Sequence, residues 1–157
     1  MEIILITVGK TTDSGLVNLI GRYKDRLVHY TAFSIREMPD IKKGRNFDAS
    51  RQKEAEGKAI LEVLQASDRV CLLDERGREY TSVEFAGLLE KRMASGLKRL
   101  VFVIGGPYGF SEAVYERADA LLSLSRMTFN HEMVRLFFIE QLYRAMTILR
   151  GEPYHHA

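Results

Sequence analysis

The chain of 157 residues is 46% hydrophobic and 28% charged, carries a formal net charge of +2, and contains one cysteine and four histidines. A chain of this size suits one domain, here 1–157, burying about two thirds of its unfolded surface without a staple, and the balanced composition excludes disorder. One cysteine and scattered histidines exclude a structural zinc site, and the opening "MEIILITVGK" is too short an apolar run for a signal peptide or a membrane span, so a cytoplasmic protein is expected.

"IILITV" concentrates β-branched residues and leucine with little alternation, the pattern of a strand covered on both faces, and it stops at Gly9. Leu16, Leu19, Ile20, Tyr23 and Leu27 then fall on one face of a helix that Asp13 or Ser14 caps. "YTAFSIREM" reads as an alternating strand ended by Pro39, followed by a basic-acidic stretch through Asn46 that reads as a mobile loop. Helical spacing returns from Asp48 to about Gln65. "RVCLLD" is a second buried strand, in which Cys71 reads as a small hydrophobe, and "ERGREY" turns the chain. Thr81 and Glu84 form a capping box for a helix ending near Ala94. Strand "RLVFVI", the loop "GGPYGF", a helix from about Ser111 to Ala120, a short "ALLSLS" segment and a helix from about Asn130 to Leu149 complete the chain. Alternating strands and helices predict an α/β domain with a largely parallel sheet flanked by helices. The last helix is apolar nearly all round, Phe137 and Phe138 included. That predicts burial against a partner subunit, with a central place in the monomer as the alternative.

In open α/β sheets the ligand lies beyond the carboxyl ends of the strands. "LDERG", "IGGPYGF" and "LSLSRMTFNH" leave those ends. Gly105, Gly106 and Gly109 permit positive φ and close backbone approach, and Pro107 stiffens the bend; a tight connection made of turn residues is the plain alternative. "GGPYGF" is neither a dinucleotide fingerprint nor a P-loop. Leu73, the Gly105 region and the segment from Leu124 to Phe129 would instead offer backbone groups and apolar walls to an adenosine-like ligand. Leu73, Met127 and Phe129 equally suit a core, and Ser125 and Thr128 a turn. The basic runs, "KRMASGLKR" among them, suit either phosphate contact or solvated helix faces. Finally, two of the four histidines stand side by side after a tyrosine in "PYHHA", residue types that solvent-exposed fraying does not require; a remnant of an affinity tag or a harmless solvated end is the plain alternative.

"VIGGPYGF", "LSLSRMTFNHEMVR", "IEQLYRAMTI" and "PYHH" together resemble the α/β-knot (SPOUT) family of methyltransferases that modify N3 of a pseudouridine in large-subunit ribosomal RNA, and the resemblance spans essentially the whole chain. It implies a parallel sheet with a C-terminal trefoil knot, S-adenosylmethionine (S-adenosyl-L-methionine) as cofactor, no metal, and a homodimer acting on the ribosome. Carried over residue by residue, it implies cofactor contacts at Leu73, Gly105, Leu124, Ser125, Arg126, Met127, Thr128 and Phe129. Catalytic roles are implied for Glu140, Arg144, Tyr154 and His155. His156 stands where relatives more often have a basic residue, and "NHE" replaces a proline-histidine form, leaving His131 matched. The imide N3 needs its proton removed before it attacks a methyl group, and His155 is the imidazole proposed for proton handling, with Arg144 stabilising negative charge and Glu140 orienting Arg144 from four residues away. The alternatives are another RNA base or ribose methyltransferase of this fold, or a noncatalytic ribosome-binding module.

Overall fold

The computed structural model describes residues 1–41 and 48–156. Ten elements follow in order: β1 (Glu2–Val8), α1 (Ser14–Leu27), β2 (Ala32–Met38), α2 (Ala49–Val63), β3 (Arg69–Glu79), α3 (Ser82–Ala94), β4 (Arg99–Ile104), α4 (Glu112–Arg117), β5 (Ala120–Ser123) and α5 (Met133–Leu149). The strands form one parallel sheet in the order β2-β1-β4-β3-β5.

The apolar runs are explained by two covered faces. Ile3 and Leu5 of β1 and Leu100 and Phe102 of β4 meet α1, α3 and α5 on one side. Ile4 and Ile6, with Val101 and Val103, meet Ile60 of α2 and Val114 of α4 on the other. Cys71 is buried in the first layer, where burial pushes its thiol up to about 12, so it packs and does not react.

The helix starts are built as their residue types require. Asp13, Asp48, Thr81 and Ser111 each accept a hydrogen bond from an amide of the first turn, and Glu84 returns the bond to Thr81 to complete the capping box. Three boundaries differ from the sequence reading. "ERGREY" does not turn the chain: β3 runs through it to Glu79, and its ladder with β5 slips between Leu73 and Arg78, both opposite Leu122. Gly77 permits this, because a Cβ there would stand 2.6 Å from the Leu121 carbonyl carbon. The α4 helix stops at Arg117, and α5 begins at Met133 instead of near Asn130. The loop through Asn46 falls largely on residues 42–47, outside the described residues.

The last helix is central in the chain, lying between α1 and α3 on the sheet. Phe138 is wholly buried, its ring 4.7 Å from that of Phe102, so it belongs to the core and not to an intersubunit face. The least covered face is a narrow strip carrying the exposed Met133 and Phe137 and the half-buried Glu140, Gln141 and Arg144.

The amino end of α5 is clasped to the carboxyl end of β1. Arg135, 2% exposed, donates to the Val8 carbonyl at 2.8 Å, the Gly9 carbonyl at 2.9 Å and Thr11 Oγ1 at 3.0 Å. Glu132 accepts from the Thr12 amide at 2.6 Å, Thr12 Oγ1 at 2.7 Å and the Asp13 amide at 3.1 Å, serving the free amides that lead into α1.

Arg135→Met leaves the two buried carbonyls without donors and is expected to cost about 2–4 kcal/mol of unfolding free energy, read from the denaturant midpoint. For Glu132, the Thr12 hydroxyl, then the Asp13 and Thr12 amides, hold the carboxyl down at about 2. Such a group contributes stability at neutral pH that is lost as pH falls from the ordinary carboxylate range towards that value. Glu132→Gln is therefore expected to be less stable at neutral pH and to lose less on acidification, measured as denaturant midpoints through that window.

Candidate functional site

A cleft of about 590 Å³ opens beyond the carboxyl ends of β3 and β4, within the range of small-molecule sites. Its floor is Leu73, Ile104 and Leu122, and one wall is the segment 105–110. Of the three glycines there, Gly109 alone takes a positive φ, 81°, and its amide bonds back to the Gly106 carbonyl at 3.1 Å, closing a turn around Pro107 and Tyr108. Gly105 and Gly106 are small for another reason. A Cβ at Gly105 would stand 3.0 Å from the Phe110 ring, and one at Gly106 would stand 2.7 Å from the buried Glu56 carboxylate. The wall is thus packed tightly from behind while its backbone faces the cleft.

The opposite wall is the segment 124–131. Ser123 Oγ donates to the Ser125 carbonyl at 2.9 Å, and Ser125 Oγ accepts from the Met127 amide at 2.9 Å, which folds the segment on itself. Thr128 Oγ1 donates to Glu75 Oε2 at 3.0 Å and ties it to β3. Leu73, Gly105, Leu124, Ser125, Met127, Thr128 and Phe129 all line this one cleft. Arg126 does not: its side chain is 88% exposed and points to Glu79, 3.5 Å away.

The cleft also holds groups that the sequence reading did not select. Tyr115 donates to Asp74, and Arg76 bonds both Asp74, at 3.2 Å, and the Tyr115 hydroxyl, at 2.5 Å. Partial burial pushes the Asp74 carboxyl up, but the hydrogen bonds from Arg76 and Tyr115 outweigh it and hold the group below its ordinary value, so a carboxylate faces the cleft at neutral pH. An acid ending the buried run "CLLD" was a readable signal. Tyr115, distant in sequence, had none. His131 completes the far end of the wall.

Glu140, Arg144, Tyr154 and His155 form a second cluster, on the least covered strip of α5. Arg144 donates to Glu140 Oε1 at 2.6 Å and to His155 Nδ1 at 3.1 Å, and Tyr154 donates to Glu140 Oε1 at 2.9 Å. Tyr154 also meets the Tyr23 hydroxyl at 3.2 Å, packs edge-on against Tyr143, and lies under the Arg144 guanidinium. Burial, then the bonds to Tyr23 and Glu140, raise its phenol above the ordinary tyrosine range, so it stays protonated. The chain end is therefore packed through His155, and exposed at His156. Because a guanidinium only donates, it occupies the His155 Nδ1 lone pair; in the neutral ring the proton then sits on Nε2.

None of these four residues lines the 590 Å³ cleft. Glu140 lines a neighbouring pocket of about 460 Å³ with Tyr80, Phe137 and Gln141, and the two cavities share Leu122, Leu124 and Phe129. Phe129, 5.1 Å from Phe137, is the partition between them. Among the described residues no group of three or more His, Cys, Asp or Glu is placed to hold a metal ion, and no helix is long and apolar enough to cross a membrane.

A family profile described as "Predicted SPOUT methyltransferase" matches residues 1–155. The ribosomal RNA large subunit methyltransferase H of Christiangramia forsetii is 58% identical over 156 residues, covering 99% of both chains. Enzymes of the same name from Parabacteroides distasonis and Porphyromonas gingivalis are 56% and 54% identical over the same share of each chain. Among solved structures, the SpoU methyltransferase AviRb of Streptomyces viridochromogenes aligns with 96% of this chain and 59% of its own at 15% identity and a TM-score of 0.47, a likeness too distant to bear on the site. With the profile spanning nearly every residue and the relatives matching end to end, the chain, a parallel sheet flanked by helices with its cleft at the strand ends, belongs to the SPOUT methyltransferase family.

Proposed function

We propose that this chain transfers the methyl group of S-adenosylmethionine to N3 of a pseudouridine in large-subunit ribosomal RNA, on the ribosome, as a homodimer whose C-terminal region is threaded as a trefoil knot. The observation that carries the reading is the cleft itself: glycine backbone on one wall, apolar side chains on floor and far wall, and the Asp74 carboxylate at the rim. These residues fit the cofactor. Leu73, Leu122, Leu124 and Phe129 offer apolar cover to an adenine ring, backbone at Gly105 and in 124–129 offers hydrogen bonds, and a carboxylate suits a cationic sulfonium or ammonium group. When bound, the cofactor supplies an electrophilic methyl carbon. The chain's own task is to hold a nucleobase nitrogen in line with it, and orientation of that kind provides much of the rate.

The full-length relatives, named as large-subunit ribosomal RNA methyltransferases, favour this substrate class. The knot is favoured by the chain's path: between Ser123 and Glu132 it passes from the sheet edge at β5 across the ends of β3 and β4 to the end of β1, where Glu132 meets Thr12. The dimer is favoured by two features. Met127, Met133 and Phe137 are 78%, 43% and 38% exposed beside the cleft, and the tail cluster stands outside the cleft of its own chain. A second copy that covers the apolar residues and brings its Tyr154 and His155 to this cleft completes the site. There His155 Nε2–H donates to a ring oxygen or phosphate, and Arg144, fixed by Glu140, adds positive charge.

The test is incubation of purified protein with labelled cofactor and unmethylated ribosomes, followed by mapping of the labelled nucleotide. Label at pseudouridine N3 is expected; label at a ribose or another base would replace the reading. Removal of residues 154–157 forfeits the bonds of Tyr154 to Tyr23 and Glu140, so a modest loss of stability, about 1–3 kcal/mol, is expected. Single-turnover methyl transfer is expected to fall much further, about 10²-fold or more. His155→Ala should reproduce most of that fall and His156→Ala, at an exposed position, little of it.

Phe137→Glu places a charge on the exposed strip without touching the core. Sedimentation at micromolar concentration is expected to show a folded monomer with cofactor binding retained and methyl transfer abolished.

A further inference from the structure

We propose that His131, and not His155, is the general base that takes the N3 proton; the assignment rests on the reading of this cleft as the site of methyl transfer to an imide nitrogen. Such a nitrogen carries a proton and has no free electron pair for attack until a base within reach removes it. Two imidazoles compete for the task, and the structure places them in opposite chemical situations.

His155 has its Nδ1 lone pair occupied by Arg144, which is held in turn by Glu140 at 2.6 Å. The remaining ring nitrogen of the neutral ring is an N–H. To accept a proton His155 must first leave Arg144, or accept it in a ring already facing a guanidinium. Its geometry is that of a donor.

His131 is the imidazole that lines the cleft. Its side chain is 50% exposed, and among the described residues no hydrogen bond engages its ring, so a nitrogen lone pair is available. Its backbone is fixed on both sides. Asn130 Oδ1 accepts from the Glu132 and Met133 amides at 2.9 and 3.3 Å, stiffening the segment ahead of the helix. Glu132 is locked on Thr12 and Asp13, and one turn later Arg135 is locked on the end of β1. A half-exposed ring on a pinned backbone at the mouth of a cleft is what a positioned base requires. The charged and titratable groups around it are Glu132, 4.0 Å away on its own segment, and, across the cleft, Asp74, Glu75 and Arg76 of β3, Tyr108 of the glycine wall and Tyr115 of α4.

The step balances as follows. The N3 proton passes to a ring nitrogen of His131, the N3 electron pair forms the new nitrogen–carbon bond, the methyl carbon–sulfur bond breaks, and its electron pair stays on sulfur, which becomes neutral. His131 then returns the proton to solvent at the open cleft.

The experiment is single-turnover transfer to unmethylated ribosomes across roughly pH 5.5 to 9, the range that brackets imidazole titration. The wild type is expected to rise with pH and level off once the imidazole is neutral. His131→Gln is expected to lose about 10²- to 10⁴-fold near pH 7 and to climb without a plateau, because solvent must then remove the proton. His155→Gln keeps an acceptor for Arg144 and an N–H, and is expected to keep the plateau. Two readouts are independent of activity. Calorimetry should give His131→Gln an S-adenosylmethionine affinity within about threefold of wild type, since the ring is not needed for cofactor capture. Nitrogen NMR of the imidazoles should show the proton of His155 on Nε2. A His131→Gln enzyme that keeps its plateau and loses less than about tenfold, a His155→Gln enzyme that loses the plateau, or a His155 protonated on Nδ1 would each overturn the assignment. A wild type that binds the cofactor but moves no methyl group to ribosomes would overturn the functional reading, and this base with it.

Discussion

The guanidinium of Arg135 is buried at the end of β1, where it donates to the carbonyls of Val8 and Gly9 just as the chain leaves the sheet. Its two terminal nitrogens are hydrogen-bonded, while its Nε has no partner among the described residues, and the two carbonyls gain the donors that buried polar groups need. The bond set fixes the height and rotation of the amino end of α5. The segment 124–131 ahead of it becomes a wall of the cleft, and Phe137, Glu140 and Arg144 behind it share the strip that α1 and α3 cover least. Glu132 adds a second tie on the far side of the same turn, so the wall is held at its end by charge-assisted hydrogen bonds and at its middle by Thr128 on Glu75.

Around that frame the two clusters divide the chemistry. The cleft combines apolar cover with a carboxylate kept ionised by Arg76 and Tyr115, surroundings that suit a cationic cofactor. The tail cluster is a network gathered on Glu140: a phenol that stays protonated and donates to that carboxylate, and a guanidinium and an imidazole N–H suited to the oxygens of a nucleobase or a phosphate. Phe129 and Phe137 stand between them. The donors do not line the cleft of their own chain, and the proposed dimer is the arrangement that would bring the two together.

Much of the fold was legible because its signals are local. Unbroken apolar runs marked β1, β3 and β4; cap residues marked the starts of α1 and α3, and apolar spacing marked α2; and glycines marked the cleft wall. Where prediction missed, longer-range contacts had decided. "ERGREY" is polar and carries a glycine, so it reads as a turn, yet it continues β3 because β5 comes alongside and Gly77 lets the two backbones approach. The all-round apolar character of α5 was real, but α1 and α3 cover most of it, and Phe138 faces Phe102 while Phe137 faces out. Neighbouring phenylalanines on a helix differ by about 100° in direction, and only the packing says which one is inside.

For the site, the sequence by itself determined which residue types and motifs are present: the glycine loop, the segment 124–129, and an aromatic and imidazole tail that no frayed end requires. Its likeness to a known family named the chemistry. The tertiary structure decided which of these residues stand together. It brings Leu73, Gly105, Leu124 and Phe129 to one cleft and turns Arg126 away from it. It recruits Asp74 and Tyr115, 41 residues apart, to the same rim. It also separates the two candidate imidazoles, one engaged by Arg144 and one on the cleft wall with no hydrogen bond to its ring among the described residues. Residue type sets what a side chain can donate or accept, but which of its atoms is already engaged depends on neighbours that chain order does not record.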